Sequence, residues 1–268
     1  MILKGVLTTM VERMDDKSLI DLGVIPWSSP VLSFGDITSS HVATLGINPS
    51  NREFVSLDGD ELDGSIRRFH TLKSLGLECW SDAGVEHLQM ILESCYTYFR
   101  RNPYDAWFKK LDRIMAQAQV SYYNSPLKAC HLDLIPYATS CKWTELSQSQ
   151  RNGLLADAGD TLGRMIADSS IRVLILNGNS VVQNFEKVAD VALEKRVMAS
   201  WALPRSQNEQ VTGIAYKGVL SEIGGIELRH ELVVLGFNHN IQSSFGVTTQ
   251  VMNAIQRWIS QETMEAFT

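Results

Sequence analysis

What the chain lacks already excludes several classes of protein. No stretch approaches the roughly 18 consecutive apolar residues of a membrane span, and Glu12 and Arg13 interrupt the first apolar run too early for a secretory leader. A soluble, cytoplasmic protein without membrane contact is expected. There are four cysteines, Cys79, Cys95, Cys130 and Cys141, and no two form a C-x-x-C pair. That argues against a zinc ribbon, an iron-sulfur cluster or a disulfide framework, and no metal or other cofactor is expected. Repeats and low-complexity tracts are absent, as is any excess of positive charge: 24 Lys and Arg stand against 30 Asp and Glu, a formal net charge of -6. Contact with a nucleic acid would have to rely on local clusters. The candidates are Arg67-Arg68, Arg100-Arg101 and Lys109-Lys110.

What is present is enough for one sizeable core. The chain has 268 residues, 44% of them hydrophobic, and is expected to be a monomer with a single domain over 1–268. Four short apolar runs, Val42 to Ile47, Ala129 to Ile135, Arg172 to Asn177 and Glu231 to Phe237, predict strands of a parallel sheet buried on both faces. Helical patterns lie between them at Ile66 to Leu75, Val85 to Arg101, Asp105 to Gln119, Leu146 to Asp168 and Val181 to Leu193, with a last one at Thr248 to Gln261. Strand alternating with helix predicts an α/β fold, a three-layer α/β/α sandwich around a central, mainly parallel four-stranded sheet. Residues 1–40, with the turn-rich Pro26-Trp27-Ser28-Ser29-Pro30, predict an irregular N-terminal wrap. Insertions are expected near 78–125 and 195–230, the second carrying a hairpin before the last strand.

In such sheets a ligand crevice lies outside the carboxyl ends of the strands. Polar loops follow all four runs: Gly46 to Asn51, Asp133 to Ser140, Asn177 to Ser180 and Asn238 to Ser244. In the first, Gly46 permits close approach of the backbone and Pro49 stiffens the chain after Asn48. The last is dense in amides and hydroxyls around His239, and polar groups so clustered at a strand end need water or a ligand.

Two of these loops resemble the signature motifs of the uracil-DNA glycosylase superfamily. Gly46-Ile47-Asn48-Pro49 is similar to the G-I-N-P form of its mismatch-specific branch, and His239-Asn240-Ile241-Gln242-Ser243-Ser244 to the motif after the last strand. Arg67-Arg68-Phe69 looks like the N-R-F-W stretch of mismatch-specific members. The resemblance implies a sandwich of the uracil-DNA glycosylase type and a monofunctional DNA glycosylase. Such an enzyme flips a pyrimidine-derived base out of DNA and hydrolyses its N-glycosidic bond, leaving an abasic site. Asn48 would orient the attacking water and His239 would stabilise charge on the departing base. Gly46, Ile47, Phe54, Asp133 and Asn240 would form the base pocket, with Phe54, or else Phe69, stacking on the base. Ser50, Gly178, Asn179, Ser180, Gln242, Ser243 and Ser244 would hold DNA phosphates, the glycine-led group at a helix N-terminus.

The chemistry of these residues narrows the expectation. An amide is no general base, so Asn48 positions water rather than deprotonating it. No lysine lies in the loops, so no Schiff-base lyase step is expected. Asp133 stands where uracil-specific members place an asparagine; a carboxylate offers only acceptors, which suits the exocyclic amino group of cytosine and repels the uracil C4 carbonyl. That moves the expectation from uracil toward a cytosine-derived base. Because some relatives in the superfamily excise glucosylated hydroxymethylcytosine from phage DNA in antiviral defence, the resemblance implies such a modified cytosine as the favoured substrate, with uracil or mismatch repair as the alternative. Ser243 replaces the leucine wedge of the family, leaving Phe245 or Ile241 for that task. Two other classes stay open. One is a serine hydrolase built on Ser180, His239 and Glu222 or Glu227, although Val182 replaces the second glycine of G-x-S-x-G. The other is a non-catalytic DNA-binding module.

Overall fold

The computed structural model describes residues 2–101, 105–123, 125–204, 210–242 and 246–268. Its strands are β1 (Val42–Gly46), β2 (Val120–Ser121), β3 (Leu127–Asp133), β4 (Val173–Asn177), β5 (Glu194–Val197), β6 (Leu203–Pro204), β7 (Gln210–Val211), β8 (Ile214–Ile223) and β9 (Ile226–Phe237). The main sheet runs β2-β3-β1-β4-β9-β8-β5. The four strands expected from the apolar runs are β3, β1, β4 and β9, adjacent and mutually parallel. Every residue of β4, and all of β1 before Gly46, is buried, as a sheet covered on both faces requires.

The sheet has seven strands and mixed orientation, which corrects the four-stranded expectation. The added strands carry no apolar run to reveal them. β5 is Glu194-Lys195-Arg196-Val197, exposed at all four positions, a charged edge that resists pairing with other chains. β8 is antiparallel to β9, and the two close through Gly224-Gly225 with φ of 56° and 79°. Both turn residues need the left-handed region, which glycine reaches without strain. The expected hairpin thus exists, and its second strand is the last strand of the sheet.

The helices are α1 (Ile2–Glu12), α2 (Lys17–Asp21), α3 (Leu72–Leu75), α4 (Val85–Tyr96), α5 (Tyr98–Arg101), α6 (Asp105–Met115), α7 (Gln148–Ala158), α8 (Thr161–Ala167), α9 (Asn179–Ala189) and α10 (Thr249–Glu265). Three expectations need correction here. Residues 1–40 are not wholly irregular, because α1 buries Leu3, Val6, Leu7, Met10 and Val11 on one stripe; Gly5 and the β-branched Val6, Thr8, Thr9 and Val11 obscure it by propensity. The helix expected over Ile66 to Leu75 shrinks to α3, after a single 3-10 turn at Gly64–Ile66. The pattern over Leu146 to Asp168 is two helices, broken where Gly159 takes φ 43° at the end of α7.

Helix α8 packs on β9, α9 on β4 and β8, and α10 on β9 and α6. The segment before β1 runs along the sheet edge: Phe34 N–H donates to the His131 carbonyl at 2.8 Å, and His131 N–H to the Phe34 carbonyl at 2.9 Å. That clamp fixes the end of β3 from which two polar side chains enter the site. No helix among the described residues is long and apolar enough to cross a membrane.

Candidate functional site

At the carboxyl ends of β1 and β3 lies a cavity of about 240 Å³. The loop Gly46 to Ser50 forms one side, His131 and Asp133 project from β3, Glu53 enters from the turn after the loop, and Phe34, Trp107 and Phe108 supply aromatic walls. Trp107 and Phe108 sit on α6, so a helix between β1 and β3 supplies two of the walls. Among the described residues, no three His, Cys, Asp or Glu side chains gather as metal ligands would.

Gly46 has a more specific task than turning the chain. It pairs with Asp133 across the β1–β3 register. A Cβ at position 46 would press into Asp133 Oδ1 and come within 2.9 Å of His131 Nε2. Only a glycine lets both polar groups lie against the strand at the cavity floor.

Asn48 is held in one orientation. Its side-chain Nδ2 donates to the Pro49 carbonyl at 3.2 Å and to Thr139 Oγ1 at 3.0 Å, while the Thr139 hydroxyl donates onward to the Cys141 carbonyl at 2.8 Å. Both partners are therefore acceptors, which identifies the atom facing them as the amide nitrogen. Oδ1 accepts no hydrogen bond among the described residues, so it is the amide atom left to receive one from water.

Two buried groups were not singled out by sequence reasoning. His131, 2% exposed, has Nδ1 2.7 Å from Thr44 Oγ1 and Nε2 3.5 Å from Asp133 Oδ1. Its ring meets Trp107 and Phe108 edge-on at 5.3 Å each. The signal was available: side chains two residues apart on a strand share a face, so His131 accompanies Asp133. Glu53 is 3% exposed. Burial pushes its carboxyl up to about 7, against the opposing pull of Arg68 and the Tyr98 hydroxyl, and Asp133 adds to the rise. Tyr98 donates to Glu53 Oε2 at 3.0 Å, with the Arg68 guanidinium 3.6 Å away.

Of the remaining candidates, Ile47 and Ser50 stay with this cluster and the others separate from it. Ile47 lines the cavity, and Ser50, exposed beside it, accepts from Arg52 N–H at 3.2 Å as the cap of a short turn. Phe54 and Phe69 do not line the cavity; both are 1% exposed, with Phe69 stacked on Tyr98 at 5.3 Å. The aromatic side chains that line the cavity are Phe34, Trp107 and Phe108. His239 is also off the cavity, 4% exposed, with Nε2 donating to the Trp201 carbonyl at 2.6 Å. One strand, β4, stands between β1 and β9, so the strands that end in these two loops are roughly 10 Å apart. Asn240 is exposed, its Oδ1 accepting from Gln242 N–H at 3.0 Å.

At the start of α9, Gly178 and Asn179 spend their backbone N–H groups on the Phe237 and Asn238 carbonyls at 3.0 and 3.1 Å. Neither has a backbone N–H left for a phosphate; the exposed donors in this turn are the Asn179 side-chain amide and the Ser180 hydroxyl. Gln242 accepts from Asn177 Nδ2, while its own Nε2 and Asn177 Oδ1 are buried without partners among the described residues. Ser243, Ser244 and Phe245 lie outside the described residues. Ile241 is buried at 2% and so cannot serve as a wedge. A hydrolase triad does not assemble: Glu222 and Glu227 pair at the Gly224-Gly225 end of the hairpin, roughly 30 Å along β9 from Phe237, the strand end that His239 follows.

No protein-family model matches the chain, and no curated protein matches it.

Proposed function

We propose that the protein is a monofunctional DNA glycosylase acting on a flipped-out pyrimidine-derived base. Its favoured substrate is a modified cytosine such as glucosylated hydroxymethylcytosine of phage DNA, removed in antiviral defence. The observation that carries this is the Asn48 amide, its Nδ2 locked by Pro49 and Thr139 and its Oδ1 left without a hydrogen bond among the described residues, on a loop that lines an aromatic-walled cavity. Glycosidic hydrolysis needs a water held against the sugar and an enclosed place for the base. At about 240 Å³, several times the ~30 Å³ share of one water, the cavity has room for a single six-membered ring, which Phe34, Trp107 and Phe108 can flank.

Asp133 supports an aminated ring over uracil, since its carboxylate accepts from an exocyclic amino group. A bulky C5 substituent would extend out of the cavity. The sheet with its helices would form the three-layer sandwich of the uracil-DNA glycosylase type. DNA is the proposed partner, with Ser50, Ser180 and the basic residues Arg100, Lys109 and Lys110 as phosphate contacts; Gln242 drops out, its backbone N–H given to Asn240 and its Nε2 buried.

The test is abasic-site formation, read as alkali-sensitive strand breaks, on duplexes carrying glucosylated hydroxymethylcytosine, uracil or a mismatch. Breaks dependent on the protein support the proposal. No breaks on any duplex with folded protein contradict it.

A further inference from the structure

The imidazole that the cavity offers a ligand is that of His131, and the hydroxyls behind it decide which ring nitrogen carries the proton. Tyr122 is buried, and burial raises its phenol well above the usual range. Among the described residues its hydroxyl meets one polar partner, Thr44 Oγ1. Its proton therefore goes to Thr44, because a buried hydroxyl proton left unmatched costs about 1–3 kcal/mol. Thr44 Oγ1, having accepted from Tyr122, donates its own proton to His131 Nδ1 at 2.7 Å. Nδ1 is then the acceptor of a neutral ring and the ring proton sits on Nε2. Nε2 faces Asp133 Oδ1 at 3.5 Å, too long for a formed hydrogen bond, beside the space that Gly46 leaves open. A donor is thus presented at the cavity floor without a tight partner.

We infer that His131, and not His239, is the catalytic imidazole of the glycosylase proposed above, donating from Nε2–H to the base carbonyl oxygen beside the scissile bond. Thr44 and Tyr122 are positioning residues that fix its tautomer. The inference rests on the glycosylase reading. In the step, the C1′–N bond breaks with its electron pair leaving on the base, and the oxygen of the water held by Asn48 bonds to C1′. The proton released by that water ends on the base nitrogen. His131 keeps its own proton and stabilises the charge that gathers on the carbonyl oxygen, which a fixed donor in a water-poor site does effectively. His239 is poorly placed for this, with its Nε2–H spent on the Trp201 carbonyl.

Two measurements test the assignment. Nitrogen-15 NMR of the imidazoles in the full chain at neutral pH needs no substrate: His131 should be protonated at Nε2 and bare at Nδ1, moving toward a tautomer mixture in Thr44→Val. A ring protonated at Nδ1 overturns the inference. The second compares single-turnover base release and DNA affinity on duplexes carrying glucosylated hydroxymethylcytosine or uracil. His131→Phe should slow release about 100- to 1,000-fold with affinity within about threefold, and His131→Gln, which restores an N–H donor, should recover at least tenfold. Release by the wild type with equal losses in both variants, or with none, overturns this role and leaves the glycosylase intact. No release by the wild type on either duplex overturns the glycosylase and this role with it.

Discussion

The Asn48 side chain and the Thr139 hydroxyl are joined at 3.0 Å across two loops that leave adjacent strands. Because Thr139 has already given its proton to the Cys141 carbonyl, it can only accept, and the amide cannot turn over. Thr139→Val should therefore release the amide without touching the cavity. We expect base release to fall between about 10- and 100-fold, the cost of misplacing a reacting group by about an ångström. Melting temperature should change by only a few degrees. Undiminished single-turnover rates in Thr139→Val would show that the amide needs no such lock.

Gly46→Ala asks whether the cavity floor depends on the missing side chain. The added methyl group would collide with Asp133 Oδ1 and His131 Nε2, and overpacking of this kind typically costs about 1–3 kcal/mol. Urea denaturation should show that loss together with a large drop in base release. A variant with wild-type stability and activity would mean that the two polar groups yield easily.

Glu53 predicts a pH dependence of stability. Its folded-state carboxyl titrates near 7, against about 4.3 in an unfolded chain. Between these values the folded protein holds a proton that the unfolded chain releases. The contribution is full below about pH 4.5 and is lost as pH rises through 7. The wild type should lose up to roughly 3 kcal/mol of unfolding free energy relative to Glu53→Gln between pH 4.5 and 8. Denaturation curves of the two proteins across that range decide it; a constant difference refutes the buried-acid account.

His239→Ala should act on the fold. Removing the ring leaves the Trp201 carbonyl without its 2.6 Å donor and costs about 1–3 kcal/mol, several degrees in melting temperature. Any loss in rate should track the loss of folded protein. A large loss of rate at unchanged stability would restore His239 to the chemistry.

The parts of this site legible in the sequence were those marked by backbone constraint. Gly46, Asn48 and Pro49 stand out at the end of an apolar run, and the structure puts all three on the cavity. Asp133 stood out as a charge at the end of another. His131 and Glu53 did not, because burial and neighbours, rather than motif, give them their properties. The cavity's aromatics are hidden for a related reason: Phe54 follows the loop in sequence, but its ring turns inward to Trp27 and Phe69, while Trp107 and Phe108 arrive from a distant helix. Strand β5 has no such mark, because an edge strand with exposed charges carries no hydrophobic signature. Pairing partners, not composition, define it.

The account stands on water placed by Asn48 against a base held in the cavity, and one comparison tests that most directly. Wild type and Asn48→Ala are incubated with the modified-cytosine and uracil duplexes, the released base is identified by mass spectrometry, and DNA affinity is measured in parallel. We expect the wild type to release an intact free base and Asn48→Ala to release it at least about 100-fold more slowly with affinity unchanged. Equal release by both proteins, or no free base from the wild type, would contradict the account.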